Sequence, residues 1–219
     1  YTTMILTAVS CSLYYPGYFL ELNGFKLSGL IVPLLQVIMF GMGTSMSLTD
    51  FVDVVKNPKG VFIGVASQFI IMPGLGFILA NASGFEPEIA AGIILIGCSP
   101  SGLASNVMAY LAKANLALSI TITSVTTIIA PFVTPLLMNW LGGAFVSINV
   151  LQMMKDISNI ILLPIALGII FNRLFSGKVK WLDNSMPYVS MAGIALIIVV
   201  ITAAGRDSLL KIGPLLILL

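Results

Sequence analysis

Apolar and polar positions alternate along this chain on a scale of about twenty residues, not of two or four. Long apolar runs cover Thr2–Leu20, Leu27–Leu48, Val61–Ala80, Ile89–Leu111, Leu116–Leu141, Ile157–Phe175 and Tyr188–Ala204, and an eighth opens at Ile212. A helix needs about 20 apolar residues to cross the hydrocarbon layer, whereas a barrel strand needs only about 10. Runs of this length therefore predict helical spans. Backbone groups in lipid must be bonded inside their own segment, which leaves the helix as the conformation. Between the runs lie short connections with turn or charge signals: Asn23-Gly24, Asn57-Pro58-Lys59-Gly60, Ser83-Gly84-Phe85-Glu86-Pro87, Gly142-Gly143 and Ser176-Gly177-Lys178. The expected fold class is an all-α polytopic membrane protein. The sequence begins at Tyr1, not Met, and stops eight residues into its last run, Ile212–Leu219, so it is expected to be the N-terminal part of a longer chain.

Composition changes this picture little and sharpens it. Only 8% of the 219 residues are charged and 58% are apolar, with a mean hydropathy of +1.10. Soluble domains are about a quarter charged, so membrane lipid has to cover most of this surface. A net charge of +2 without a basic stripe argues against nucleic acid as a partner. Histidine is absent, which removes the usual proton switch and the commonest metal ligand. Cys11 and Cys98 lie inside apolar runs in no zinc-like spacing and are expected to be small buried thiols. No transition-metal site and no catalytic triad is expected, so the chain does not read as an enzyme. The connections after spans two, four and six carry Lys56, Lys59, Lys113, Arg173, Lys178 and Lys180. Those on the other side carry Lys26, Lys155, Arg206 and Lys211, and Glu86 and Glu88 also lie there. The basic excess places the N-terminus in the cytoplasm, with the protein integral to the cell (inner) membrane.

Polar residues inside the spans are costly and need explaining. Span four is interrupted by Ser99-Pro100-Ser101-Gly102, followed by Ser105 and Asn106. Proline removes a backbone bond and glycine loosens the chain. This predicts either a kink sealed by neighbours or a discontinuous helix whose freed carbonyls and amides bind ions and substrate, as transporters use them. Span five carries Ser119, Thr121, Thr123, Ser124, Thr126, Thr127 and Thr134. Ser119 and Thr123 share a face and could complete an oxygen shell around a hard cation. Alternatively the hydroxyls bond back along their own helix or let helices pack closely. Gln68, in mid-span, is either interhelical glue or a ligand. Phe40-Gly41-Met42-Gly43 reads as a close packing surface; it lacks the lysine of a phosphate loop.

The segment from Gly97 through Pro100, Gly102, Ser105 and Asn106 to Lys113 closely resembles the bile acid:sodium symporter family in its bacterial branch. So do Leu118-Ser119-Ile120-Thr121-Ile122-Thr123-Ser124, Phe40-Gly41-Met42-Gly43 with Asp50-Phe51, and Lys59-Gly60 with Gln68-Phe69 to Met72-Pro73. The resemblance implies ten helices in two inverted repeats, of which about seven and a half would be present, with a discontinuous fourth helix. It implies panel-type helices at 1–54 and 143–206, a core-type unit at 55–142, and the start of another core-type helix at 207–219. By the same resemblance, Ser105, Asn106, Ser119 and Thr123 would line one sodium site, Gln68 would reach a second, and a ninth helix would add a glutamate and a glutamine. Pro100, Ser101, Gly102 and Leu103 would face the substrate cavity. Here the chain departs from the family's Pro-Gly-Gly-Thr, since Leu103 lacks a hydroxyl; this bears on substrate identity, not on sodium. The implied function is sodium-coupled symport of an organic anion, bile-acid-like or a small carboxylate, by alternating access. Sodium is the coupling ion and no other cofactor is called for. The alternatives are a sodium-independent anion exporter and a non-transport membrane receptor or scaffold.

Overall fold

The computed structural model describes residues 2–15, 21–22, 25–45, 58–175 and 180–206. Nine helices are described: α1 (Thr2–Tyr14), α2 (Ile31–Ser45), α3 (Pro58–Ser83), α4 (Pro87–Cys98), α5 (Leu103–Leu111), α6 (Leu116–Leu137), α7 (Val150–Ile157), α8 (Leu163–Phe175) and α9 (Lys180–Ala204). Wide π turns at Met138–Gly142 and Ser158–Leu162 prolong α6 and join α7 to α8. The short strands β1 (Glu21–Leu22) and β2 (Phe25–Lys26) pair antiparallel before a tight turn at Leu27–Leu30 leads into α2. Among the described residues, Leu27–Thr44, Pro58–Ser83, Leu116–Gly142 and Val150–Leu174 are long and apolar enough to cross a membrane. The run opening at Ile212, Asp50-Phe51, Asn23-Gly24, Asn57, Lys56, Lys178 and Lys211 lie outside the described residues.

Several boundaries differ from the sequence expectation, two of them by seven or eight residues. The sixth span starts at Val150, not Ile157, so Lys155 and Asp156 lie in a helix and not in a loop. Asn149 caps it, its side chain accepting from the Gln152 amide at 3.1 Å, and Gln152 Nε2 donates to Asp156 Oδ1 at 2.9 Å one turn on. The seventh starts at Lys180, eight residues before Tyr188.

The chain divides into two compact units, Tyr1–Ser45 with Pro164–Leu219, and Met46–Leu163. In the first, α9 packs on α1 and α2. The α2 and α8 backbones approach closely: a Cβ on Gly43 would lie 2.5 Å from the Ile165 carbonyl oxygen, and one on Gly168 would strike the Phe40 carbonyl. Phe40 and Phe171 close this contact edge to face, centroids 5.8 Å apart.

In the second unit, α3 and α4 form a hairpin turned at Gly84, whose φ of +64° suits a residue without Cβ. Pro87, at the first position of α4, needs no amide partner there. The hairpin packs backbone to backbone, since a Cβ on Gly97 would sit 2.6 Å from the Met72 carbonyl oxygen. Ala80, Ala90, Ile94, Cys98 and Met138 form the buried core beside it, where the end of α6 meets α4.

Candidate functional site

Span four is broken. Ser99–Gly102 separates α4 from α5, and Ser99 (φ −74°, ψ 151°) and Gly102 (φ −101°, ψ 166°) are both extended. The break leaves orphan carbonyls at the end of α4, and specific donors take them. The Ser99 hydroxyl donates to the Leu95 carbonyl at 2.8 Å and its amide to the Ile96 carbonyl at 3.2 Å. Thr134 Oγ1 donates to the Cys98 carbonyl at 2.8 Å, and Gln68 Nε2 to the Ser99 carbonyl at 2.9 Å.

Beyond the break, a tight reversal brings α5 against α6. Ala114 and Lys113 donate their amides to the Ala109 and Tyr110 carbonyls, at 2.9 and 3.1 Å, with Lys113 at φ +53° in the position glycine usually takes. Asn115 then caps α6, its side chain accepting from the Leu118 amide. This turn sets Asn106 opposite the Ser119–Thr123 face. Ser119 Oγ donates to Asn106 Oδ1 at 2.7 Å. Thr123 Oγ1 lies 3.3 Å from the same oxygen, 3.0 Å from the Ser119 carbonyl and 3.4 Å from Ser105 Oγ. Ser105 Oγ donates to the Gly102 carbonyl at 2.7 Å and meets Ser101 Oγ at 3.0 Å.

Ser105, Asn106, Ser119 and Thr123 thus converge in one oxygen-rich network, with Ser101 joined through Ser105. Pro100 and Gly102 form the break. Leu103 opens α5, its side chain outside the described residues. Gln68 is bonded to the break from α3 and takes no part in the network's hydrogen bonds. The sequence marks Ser99 and Thr134 as members of the two polar clusters without giving either a role, and it does not mark Asn115. The signal was the density of hydroxyls around Pro100, but which hydroxyl reaches which carbonyl depends on helix packing. A groove of about 370 Å³ opens beside the network, its lining including Ser101, Ser105, Asn115 and Ser119 together with Gly64, Leu118 and Ile122.

The model of the "Sodium Bile acid symporter family" matches residues 32–212, spanning the break, the network and Gln68. The chain belongs to this family. Membership in the sodium bile acid symporter family makes it an integral membrane protein of a family of transporters, not enzymes. Among relatives, the "Uncharacterized sodium-dependent transporter YocS" of Bacillus subtilis (strain 168) is 39% identical over 190 residues, 87% of this chain and 59% of the relative. The "Probable sodium/metabolite cotransporter BASS1, chloroplastic" of Oryza sativa subsp. japonica is 32% identical over 188 residues, 84% of this chain and 46% of the relative. The "Ileal sodium/bile acid cotransporter" of Oryctolagus cuniculus is 31% identical over 185 residues, 82% of this chain and 52% of the relative. The chain therefore spans about half of the length of these relatives.

Proposed function

We propose that the protein is a secondary active transporter that couples sodium entry to uptake of an organic anion by alternating access. The observation that carries this reading is the convergence of the Ser105, Asn106, Ser119 and Thr123 side chains beside a broken helix. Hard cations take oxygen ligands, and this cluster supplies a carboxamide oxygen and three hydroxyls. The Ser119 and Thr123 hydroxyls both lie within hydrogen-bond reach of Asn106 Oδ1. Sodium would replace those bonds by turning oxygen lone pairs inward. Thr123 has an alternative acceptor at hand in the Ser119 carbonyl, 3.0 Å away, so its hydroxyl can rotate without losing its bond. Gln68, holding the break by its amide nitrogen, offers its carbonyl oxygen to a second sodium.

The amides opening α5 at Gly102 carry the partial positive end of a helix, which favours an anionic headgroup. The groove, lined by both polar and apolar side chains, suits an organic anion, bile-acid-like or a small carboxylate. Sodium orders the break and so raises affinity for the anion, and the anion reciprocally raises affinity for sodium. In this reading residues 55–142 and 207–219 belong to a core and residues 1–54 and 143–206 to a panel, within two inverted repeats of five helices. The protein lies in the inner membrane with its N-terminus in the cytoplasm, on the evidence of its basic connections.

Uptake of labelled bile acids and small carboxylates into proteoliposomes, driven by a sodium or a potassium gradient, tests the reading. Uptake that needs sodium in the wild type and loses that need in Asn106→Ala is the expected result. Equal transport in both salts would favour a sodium-independent exporter, and no transport of any anion a receptor or scaffold.

A further inference from the structure

Thr134 makes an interaction that the sodium reading leaves unused. Hydroxyls inside a helix ordinarily bond back to a carbonyl one turn earlier. Thr121 does so to Ala117, Thr126 to Ile122 and Thr123, and Thr127 to Thr123, all within 3.0 Å. Thr134, only 4% exposed, instead reaches across to the carbonyl of Cys98, the last residue of α4, which is itself fully buried. Around it, Ser99 takes the Leu95 and Ile96 carbonyls from the flank of α4, and Gln68 takes the Ser99 carbonyl from α3. Thr134 alone among these donors belongs to α6, the helix that carries Ser119 and Thr123.

The two partners differ in freedom. The end of α4 is pinned to α3 by the backbone contact between Gly97 and Met72. Helix α6 is weaker around Thr134: Pro131 has no amide for the Thr127 carbonyl, and Pro135 none for the Pro131 carbonyl. If the cross-helix bond is lost, the packing of Met138 with Cys98 still holds this end of α6 to α4, and what changes is the angle at which the helix, weakened at Pro131, presents Ser119 and Thr123. We propose that Thr134 is a positioning residue for cation binding. Its hydroxyl on the Cys98 carbonyl holds α6 at the broken helix, so that Ser119 and Thr123 stay at ligand distance from Ser105 and Asn106. This rests on the sodium reading of that cluster.

The test uses full-length protein in detergent, with sodium chloride titrated against potassium chloride at constant ionic strength and the thermal midpoint read at each step. Thr134→Val keeps the shape and removes the hydroxyl; its sodium half-saturation should rise about tenfold, the worth of one hydrogen bond. Thr134→Ser restores the donor and should return close to wild type. A Thr134→Val protein that melts lower without sodium but keeps the wild-type half-saturation would show the bond to be structural only, and would overturn the proposal. If Thr134→Val does not fold, Thr134→Cys, with a weak donor, must fall between Ser and Val-like loss; a wild-type half-saturation there overturns the proposal as well. A wild-type protein indifferent to sodium would instead defeat the sodium reading itself, and this inference with it.

Discussion

Asn106 is the hub of the network at the scale of single residues. One carboxamide oxygen is approached by both the Ser119 and the Thr123 hydroxyls, at 2.7 and 3.3 Å. Removing the shorter bond tests whether the cluster is a binding site or packing. Ser119→Ala should raise the sodium half-saturation about tenfold while lowering stability by only about 1 kcal/mol. Ser83→Ala, which removes a hydroxyl bonded to the Ala80 carbonyl at the end of α3, should leave the half-saturation unchanged. Titrating the thermal midpoint of both variants with sodium separates the two. The identities of these residues were legible in the sequence because polar side chains in a lipid-spanning run demand a reason. Their partners were only partly so. The spacing of Ser119 and Thr123 put them on one face, but nothing local says that Thr134 bonds across to α4 while Thr126 and Thr127 bond back along α6.

At the scale of elements, the break and the reversal that follows it are set by a few backbone positions. Gly97 lies where a Cβ would stand 2.6 Å from the Met72 carbonyl oxygen. Gly97→Val should therefore cost about 1–3 kcal/mol as an overpacked contact, read as a lower thermal midpoint, with α4 pushed away from α3. Lys113 is strained at φ +53° and donates its amide to Tyr110. Lys113→Gly should be neutral or slightly stabilising, because glycine accepts that conformation. Lys113→Pro should destabilise by about 3 kcal/mol, since proline fixes φ near −65° and has no amide. Calorimetry on the two variants checks the contrast. The broken helix was legible because Pro100 and Gly102 stand in mid-run where no cap can explain them. The start of α7 was not, because Gln152, Lys155 and Asp156 resemble a loop in composition; it is the Asn149 cap and the Gln152–Asp156 bond that make them helical.

For the whole molecule, hydrophobic run length revealed a helical membrane protein, since only helices and closed barrels satisfy the backbone in lipid and the runs are too long for barrel strands. Which helices group together was not legible from run length. That grouping depends on contacts such as Gly43 with Ile165 and Gly168 with Phe40, between residues more than a hundred positions apart. Gly168→Leu should loosen the unit that contains α2 and α8 and lower the thermal midpoint, yet leave the sodium half-saturation intact, because the network lies in the other compact unit. The family's sodium chemistry and this chain's oxygen network meet in one claim, that the cluster around Asn106 binds sodium. The most direct measurement is thermal unfolding of the full-length protein with sodium titrated against potassium at fixed ionic strength. A ligand that binds only the folded state raises the midpoint with the logarithm of its concentration. If the Asn106 cluster binds sodium, the rise is specific to sodium and disappears in Asn106→Ala. Identical curves in the two salts, or a rise that survives in Asn106→Ala, would contradict it.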